Sequence, residues 1–367
     1  MNQLKQLLFE PISIKSLHLK NRVVMAPMTR NFSPGSIPGE NVVNYYKKRA
    51  ENEVGLIITE GTTINHKAAS GYPDVPAFHG DLALAGWKKV VDAVHSVGGK
   101  IAPQIWHVGN IKRAGVEPFP LVPGYGPMEV IKKESVLGVA MTKSDIDEII
   151  EAYAKAAKSA KEIGCDAVEI HGAHGYLIDQ FFWEKSNQRT DEYGGSFNNR
   201  LRFGIEVVKA VRKMVGEDFP IIFRFSQWKQ QDFDAKLVTT PDELENFLTP
   251  LSQAGVDVFH ASTRRFWEPE FEGSEMNLAG WTKKITGKPV ISVGSVGLDL
   301  PFTSSFRGKE AGAVDFSQLI QKMNEHEFDM IAIGRGLIGD PEWARKIKEG
   351  RESEIRKFSK DDLKTLI

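Results

Sequence analysis

Cysteine is nearly absent from this chain, which has a single one, Cys165, among its 367 residues. One thiol excludes an internal disulfide and any metal cluster that is held by cysteines. Cys165 stands in "EIGCDAVEIH", just before a predicted strand. We interpret it as a small buried side chain that fills space in the core.

Long apolar runs and a strong excess of one charge are also missing. The stretch "MNQLKQLLFEP" has an apolar core of only Leu7 to Phe9, which is too short for a signal peptide. No stretch approaches the roughly 18 apolar residues that a membrane-spanning helix needs. The net charge of -1 and the lack of a long basic run argue against binding to nucleic acid. We therefore expect a cytoplasmic chain with no membrane or nucleic-acid partner and a small molecule as its ligand.

Short runs rich in β-branched residues alternate with longer amphipathic stretches along the whole chain. This alternation is typical of a parallel sheet with crossover helices. The amphipathic stretches keep an apolar period near 3.6 and end at or near glycine. Asp145 and Thr240 suit helix starts, and proline follows the second of them. The predicted strands are 22–28, 54–61, 100–107, 166–172, 220–226, 256–262, 288–294 and 328–334.

Eight strands, each followed by helical or spacer sequence, predict an α/β fold, the (β/α)8 TIM barrel, as one domain over residues 1–367. The main alternative is a doubly wound open sheet. Its G-x-G-x-x-G fingerprint is missing after the first strand, where "TRNFSPGSIPGE" follows. The segment 107–142 is long for a βα loop and rich in glycine and proline. We interpret it as an insertion after strand three that acts as a lid over the barrel mouth.

Strands seven and eight end in "VISVGSVG" and "IAIGRGLIGDPEW". The carboxyl ends of the strands carry the chemistry of such barrels, and the loops after strands seven and eight commonly hold a phosphate. Small residues there let backbone N–H groups approach a ligand, and an arginine adds positive charge. We predict a phosphate site at Gly294, Ser295, Gly334 and Arg335. Alternatively, the glycines merely permit tight turns and Arg335 makes a surface ion pair.

Polar side chains also close strands one, three and five, at Thr29, Gln104 and Arg224. In a barrel they would converge next to the predicted phosphate. A hydroxyl, a carboxamide and a guanidinium suit the edge of a planar heterocycle with carbonyl oxygens and ring N–H groups. Each residue taken singly could be a structural hydrogen-bonding residue. Together with the phosphate site they indicate flavin mononucleotide (FMN) lying across the barrel.

Landmark segments at seven of the eight strands share the pattern of one family. On these segments the chain resembles the old yellow enzyme family of flavin-dependent ene-reductases, and the resemblance runs over nearly the whole chain. The segment at strand four is the most specific. In chain order the segments are "LKNRVVMAPMTR", "TEG", "QIWHVG", "HGAHGYLIDQFFWEKSNQRTDEYGGSFNNRLRF", "FRFS", "VGSVG" and "IGRGLIGDPEW".

The resemblance implies a bound FMN with NAD(P)H as its reductant. Thr29 would hydrogen-bond the flavin near its C4 carbonyl. Arg224 would lie near N1 and O2, where a cation makes reduction easier. Trp106 would form a pocket wall above the isoalloxazine. The remaining implied contacts lie near C4 and along the pyrimidine edge, at Pro27, Met28, Gly61 and Gln104.

The stretch "EIHGAHGYLIDQFF" clusters His171, His174 and Tyr176 where strand four ends. The resemblance implies that both histidines donate hydrogen bonds to the carbonyl oxygen of an α,β-unsaturated substrate, so that hydride from flavin N5 adds to the β-carbon. Tyr176 would then protonate the α-carbon from the opposite face. Alternatively, the histidines are hydrogen-bonded core residues or two metal ligands. We predict no metal site, because the chain offers no third ligand at a convincing spacing.

Two segments depart from the family pattern, "QWKQQDF" after strand five and "HASTRRFWEPEFEGSEMNLAGW" after strand six. Five residues of these segments are candidates to shape the substrate pocket or to grip the nicotinamide cofactor: Trp228, Arg264, Arg265, Phe266 and Trp267. Trp228 and Trp267 are the ones that we assign to the substrate pocket. Alternatively, the aromatic rings simply pack the barrel rim. The sequence leaves open the physiological substrate, the choice between NADH and NADPH, and whether the chain forms a homo-oligomer.

Two other functions stay open at this point. One is a different FMN barrel that oxidises a hydroxy acid or a dihydropyrimidine, which would need a different base at the strand ends. The other is a protein that sequesters flavin or a small ligand without turnover.

Overall fold

A computed structural model describes residues 3–132, 135–297 and 315–367 of the chain. Eight parallel strands close into a barrel in which each strand pairs with its neighbours in the chain and the eighth pairs with the first. The predicted TIM barrel and its eight strands are therefore confirmed. The barrel strands are Val23–Met25, Leu56–Thr63, Lys100–Trp106, Val168–His171, Ile221–Phe225, Val258–Ser262, Val290–Val293 and Met330–Ile333.

Helices follow the strands and bury their apolar faces against the barrel. The helix after strand six is Leu278–Thr286, and the helix after strand seven is Ser317–Asn324. Among the described residues, the other helices are Gln3–Leu8, Glu40–Glu51, Asp81–His95, Lys143–Glu162, Leu177–Phe182, Phe197–Val215, Pro241–Ala254, Arg335–Gly339 and Trp343–Glu349. Short 3-10 turns are Pro34–Ser36, Gly109–Ile111, Glu352–Glu354 and Lys360–Lys364. No helix within the described ranges is long and apolar enough to cross a membrane.

Two predicted helix starts have different outcomes. Thr240 caps its helix as predicted, because its hydroxyl accepts a hydrogen bond from the Glu243 N–H at 3.2 Å. Asp145 is not a helix start. The cap is Thr142, whose hydroxyl accepts from the Asp145 N–H at 3.2 Å, while the Asp145 carboxylate accepts from the Thr142 N–H at 2.7 Å. This reciprocal capping box moves the start three residues earlier.

A hairpin closes the amino-terminal end of the barrel. Its strands, Ile12–Ile14 and Leu17–Leu19, pair in antiparallel register. Ile14, Leu17 and Leu19 are buried in one apolar cluster with inward-facing residues of most barrel strands. Strands of three residues are too short to show a period, so the sequence did not predict this plug. Because it fills the amino-terminal end, the carboxyl end remains as the open mouth.

The insertion 107–142 forms a small sheet of its own. Gly124–Gly126 pairs in parallel with Ser135–Ala140, which pairs in antiparallel register with Val130–Lys132. Residues 133 and 134 lie outside the described residues. The insertion is tied to the loop after strand four, because the Asn110 N–H donates to Gln180 Oε1 at 3.0 Å. Its role as a lid stays a prediction, as does the single domain over 1–367, of which residues 1–2 and 298–314 also lie outside the described residues.

The hairpin plug predicts a stability effect at Leu17, which is 1% exposed. Leu17→Ala should lower the free energy of unfolding by about 2–5 kcal/mol, because it removes buried apolar surface and leaves a cavity. The matched control is Leu82→Ala, since Leu82 is 71% exposed. Urea unfolding followed by circular dichroism measures both variants. Equal losses in the two, or none at Leu17, would contradict the plug.

Candidate active site

His171, His174 and Tyr176 lie together at the carboxyl end of strand four, as the sequence predicts. The ring centroid of His171 is 5.2 Å from that of His174 and 5.0 Å from that of Tyr176, each nearly perpendicular. All three side chains are buried. The chain turns sharply between them, because His174 and Gly175 have φ angles of 64° and 78°. A positive φ is uncommon for histidine and marks a backbone that the surroundings hold in place.

Hydrogen bonds define which nitrogen of each histidine is available. His171 Nδ1 accepts from the Ala173 N–H at 3.3 Å, so the neutral ring carries its proton on Nε2. His174 Nε2 lies 2.8 Å from Ser262 Oγ, to which Arg224 Nη2 donates at 3.2 Å. A guanidinium can only donate, so Ser262 Oγ accepts from Arg224, and Nδ1 is the ring nitrogen of His174 that is left without a partner among the described residues. Each histidine thus keeps one ring nitrogen that bonds to no other described residue.

Both histidines are neutral at physiological pH. Burial holds the pKa of His171 and of His174 well below the usual value, and the nearby Arg224 charge lowers both further. A neutral imidazole can donate a hydrogen bond to a ligand oxygen without losing its proton. Ser262, which orients His174, was missed by sequence analysis. Its signal is faint, a serine closing strand six in "HAS".

Aromatic rings form a wall beside the histidines. Trp106 stacks against His171 at 6.2 Å and against Tyr72 at 5.7 Å, while Tyr176 meets it edge-on at 4.9 Å. Gly61 makes room for this indole, since a Cβ there would lie 2.5 Å from Trp106 Cε3. The predicted wall position of Trp106 therefore lies within the cluster. Tyr72, from the loop after strand two, was not predicted.

The segment after strand five that departs from the family pattern wraps around this cluster. Trp228 stacks on His174 with centroids 4.3 Å apart, and its Nε1 donates to the Ser262 carbonyl at 3.2 Å. Gln230, two residues on, donates from Nε2 to the hydroxyl of Tyr176. These contacts place Trp228 at the site, whereas the role of Gln230 had no sequence signal.

Lys229, between those two residues, forms a fully buried ion pair. Its Nζ lies 2.7 Å from Asp179 Oδ1, and both side chains are 0% exposed. The other Asp179 oxygen accepts from the Gly175 N–H at 2.7 Å. The pair therefore holds the turn that carries His174 and Tyr176 against the loop after strand five.

Trp267 does not join the cluster through a ring contact. Its ring meets Phe266 at 5.2 Å and packs against the outer core. Its place in the substrate pocket stays a prediction.

A separate cleft of about 390 Å³ lies between the insertion and the loops after strands one and two. Its lining includes Thr63, His66 and Phe119.

Arg224 and Gln104 lie around a buried carboxylate. Gln104 Nε2 donates to one oxygen of Glu169 at 2.7 Å, and His260 Nδ1 donates to the other at 2.6 Å. Arg224 is buried and its Nε has no hydrogen-bond partner among the described residues. Burial lowers the pKa of Arg224 to about 10, so it remains a cation at neutral pH. A buried donor without a protein partner is open to an acceptor from a ligand or from water. Glu169 was not predicted.

The predicted phosphate residues also lie together. Arg335 Nη2 donates to Ser295 Oγ at 3.3 Å, and burial lowers the pKa of Arg335 to about 10. Gly294 allows a close contact between loops, because a Cβ there would lie 2.7 Å from a backbone oxygen after strand six. A Cβ on Gly334 would meet nothing nearer than Met28 Sδ at 3.4 Å. The ends of strands seven, eight and one are therefore neighbours.

The three predicted residues after strand one follow it directly. Pro27 and Met28 are half-buried and Thr29 is exposed. The next residue, Arg30, anchors this stretch, because its N–H donates to the buried Glu60 carboxylate at 2.9 Å. No group of three or more histidine, cysteine or acidic side chains that could hold a metal occurs in the part of the chain that is described.

The closed barrel and the donors at its mouth define a TIM-barrel protein with a ligand site at the carboxyl ends of its strands. Residues 7–354 match the model of the NADH:flavin oxidoreductase / NADH oxidase family, and the chain belongs to this family. This finding agrees with the resemblance to old yellow enzymes that the sequence motifs indicate.

Individual relatives agree with this assignment. The chain is 37% identical over 365 residues to an NADH oxidase of Thermoanaerobacter brockii, covering 95% of the chain and 52% of that relative. It is 41% identical over 223 residues to 12-oxophytodienoate reductase 7 of Oryza sativa subsp. japonica, with 58% and 56% covered. The chain thus spans about half the length of these two curated relatives. A flavin oxidoreductase of Emericella nidulans is 34% identical over 366 residues, with 94% and 91% covered.

Solved structures give the same result for the fold. Morphinone reductase in complex with tetrahydroNAD has a TM-score of 0.81 and 29% identity, covering 97% of this chain and 93% of that one. The old yellow enzyme homologue from Zymomonas mobilis has a TM-score of 0.76 and 25% identity, with 97% and 96% covered.

The buried ion pair at Asp179 yields a stability prediction. Asp179→Asn should lower the free energy of unfolding by about 3–5 kcal/mol, because Lys229 is left as a buried charge without a counter-ion. The control is Asp92→Asn, which breaks an exposed pair with Lys88 and should cost about 1 kcal/mol or less. Urea unfolding measures both. Similar losses at the two sites would show that burial of the pair is unimportant.

Proposed function

We propose that this protein is an FMN-dependent ene-reductase driven by NAD(P)H. Its substrate would be an activated alkene, an α,β-unsaturated carbonyl or nitro compound, which gains hydride at the β-carbon and a proton at the α-carbon. The observation that carries the proposal is the pair of neutral histidines, each with one ring nitrogen that bonds to no other described residue, beside a tyrosine hydroxyl. Membership of a flavin oxidoreductase family supports the cofactor and the nicotinamide reductant.

The residues at the barrel mouth fit FMN. The unpartnered Nε of Arg224 suits the acceptor atoms of a flavin ring, and Arg335 with Ser295 suits a phosphate. The amide nitrogen of Gln104 donates to Glu169, and the side-chain carbonyl oxygen of Gln104 is left as an acceptor for a ring N–H. When bound, FMN would supply the transfer of hydride between nicotinamide and alkene.

His171 and His174 would bind the carbonyl oxygen of the substrate. Negative charge grows on this oxygen as the alkene accepts hydride, so fixed N–H donors stabilise the transition state more than the ground state. The donors are held before substrate arrives. Ser262 holds Nε2 of His174, Trp228 covers its ring, and the Ala173 N–H fixes the proton of His171.

Tyr176 would hold the proton for the α-carbon. Burial raises the pKa of Tyr176, so its hydroxyl stays protonated at neutral pH.

The insertion 107–142 would act as a lid within the single domain. This is supported by Arg113, whose guanidinium lies 4.7 Å from the ring centre of Tyr72 at the edge of the aromatic wall.

The test separates the two half-reactions under anaerobic conditions. FMN-loaded protein should lose its flavin absorbance with NADPH and recover it with cyclohexenone. His171→Ala should slow the recovery by roughly 10²- to 10³-fold, as loss of an oxyanion donor does, and should weaken the binding of phenols. Reduction by NADPH should change less. His18→Ala, at the opposite end of the barrel, should behave as wild type.

The alternatives give different results in the same experiment. Bleaching by a hydroxy acid or a dihydropyrimidine, with no recovery by enones, would indicate another flavin barrel oxidoreductase. Flavin that neither bleaches nor recovers would indicate a binding protein without turnover. Wild-type phenol binding and enone turnover in His171→Ala would remove the proposed role of the histidines.

The phosphate site gives a separate prediction. Arg335→Ala removes a charge-assisted contact worth about 1.5–3 kcal/mol, so FMN should bind roughly 10- to 150-fold more weakly. Riboflavin, which has no phosphate, should bind as before. Fluorescence titration of the apoprotein measures both ligands, with the exposed Arg202→Ala as the control. Equal loss of both ligands would show that Arg335 does not contact phosphate.

A further inference from the structure

The hydroxyl of Tyr176 lies in a triangle of polar side chains from three loops. Its oxygen is 3.0 Å from the hydroxyl of Tyr72 and accepts a hydrogen bond from Gln230 Nε2. The Tyr72 hydroxyl in turn donates to Gln230 Oε1 at 3.4 Å. Tyr72 is half-buried and Gln230 is exposed, so the triangle joins the buried tyrosine to the surface.

The chemistry of an amide fixes the direction of these bonds. The Nε2 of Gln230 can only donate and its Oε1 can only accept. The Tyr72 hydroxyl therefore selects the orientation of the amide by donating to Oε1, and this orientation turns the N–H towards Tyr176. The Tyr176 oxygen receives a hydrogen bond from Gln230, and its own hydrogen is donated to the Tyr72 oxygen, because the single hydrogen of Tyr72 goes to Oε1.

We propose that Gln230 is a positioning residue that makes Tyr176 an effective acid, by donating its N–H to the phenolate that proton transfer leaves behind. The inference rests on the proposed function. In the step, the O–H bond of Tyr176 breaks, its electron pair stays on oxygen, and the proton forms the C–H bond at the substrate α-carbon. The phenolate takes a proton from water before the next turnover.

The environment of Tyr176 shows why this donor matters. Burial is the main cause that raises its pKa, and Tyr72 adds to the rise. The hydrogen bond from Gln230 and the charge of Arg113 act in the opposite direction. A buried anion without a donor is costly, and a hydrogen bond to an ionised oxygen is about twice as strong as one between neutral groups. The donation by Gln230 therefore strengthens as the phenolate forms.

The side chain of Gln230 is not needed to hold its loop. The Gln230 backbone N–H donates to the His174 carbonyl at 3.2 Å, and the buried pair of Lys229 and Asp179 fastens the same segment. The amide can thus be replaced while the loop keeps its anchors. This separation makes a chemical test possible.

The test uses Gln230→Leu, which keeps the size of the side chain and removes both polar atoms. The control is Gln231→Leu, since the exposed side chain of Gln231 makes no hydrogen bond with another described residue. Reduced enzyme is reoxidised in a stopped-flow instrument by cyclohexenone or by a nitroalkene, in H₂O and in D₂O. A nitroalkene becomes a nitronate after hydride transfer, which can leave and collect its proton from water.

Gln230→Leu should slow reoxidation by cyclohexenone roughly 10- to 100-fold and enlarge the solvent isotope effect, because proton transfer becomes limiting. Reoxidation by the nitroalkene, reduction by NADPH and phenol binding should stay near wild type. In a Tyr176→Phe background, Gln230→Leu should have no further effect, because the acceptor of its hydrogen bond is gone.

The remaining outcomes separate the inference from the proposed function. Wild-type enone kinetics in Gln230→Leu, with a strong defect in Tyr176→Phe, would overturn the inference alone. Equal slowing with both substrates, the same loss in Gln231→Leu, or additive losses in the double variant would also overturn it, as signs of a packing role. A wild-type protein that does not reduce enones, or an unimpaired Tyr176→Phe, would overturn the proposed function first.

Discussion

The guanidinium of Arg224 is the charge around which the barrel mouth is arranged. Moving a cation out of water costs several kcal/mol unless nearby groups compensate for it. Here the compensation comes from Glu169, whose negative charge raises the pKa of Arg224 against the lowering by burial. That carboxylate is in turn held by Gln104 and His260. Side chains from strands three to six therefore act together to compensate the buried charge of Arg224.

The same charge determines the state of the histidines. Arg224 donates to Ser262, whose hydroxyl in turn bonds to Nε2 of His174. Its field also disfavours a second positive charge nearby and so lowers the pKa of both His171 and His174. The same side chain therefore keeps two buried imidazoles neutral. Under the proposed function, Arg224 would link cofactor binding to substrate activation.

Much of the fold could be predicted from sequence because its signals are local. Each barrel strand is a short apolar run, and the long helices between strands have an apolar period of their own, so the alternation indicates the barrel before any contact is known. Residues that end a strand, such as His171 and Arg224, are found by the same logic. The plug formed by Leu17–Leu19 and its partner strand has no such signal, since its stability comes from burial against the distant barrel strands.

The site residues that sequence analysis missed are those whose roles depend on contacts between distant segments of the chain. Ser262 ends strand six, whereas Tyr72 and Gln230 lie in two separate loops, and nothing in the three segments says which partner each residue reaches. Closing the barrel brings the loops after strands two, four and five together, and only then does Gln230 meet Tyr176. The segment "QWKQQDF" could be recognised as a departure from the family, but three successive residues in it reach three different partners.

A glycine at the barrel mouth can be explained by packing within the protein or by the close approach of a ligand. The sequence does not distinguish these two explanations, but the structure does. Gly61 lies near the end of strand two and Gly334 directly follows strand eight, and both belong to the predicted cofactor site. A Cβ on Gly61 would collide with Trp106, so the packing of the protein itself accounts for this glycine. A Cβ on Gly334 would meet no atom nearer than 3.4 Å, so no internal clash requires the glycine there. Gly334 therefore leaves space beside Arg335, and the case for close approach of a ligand is stronger at strand eight than at strand two.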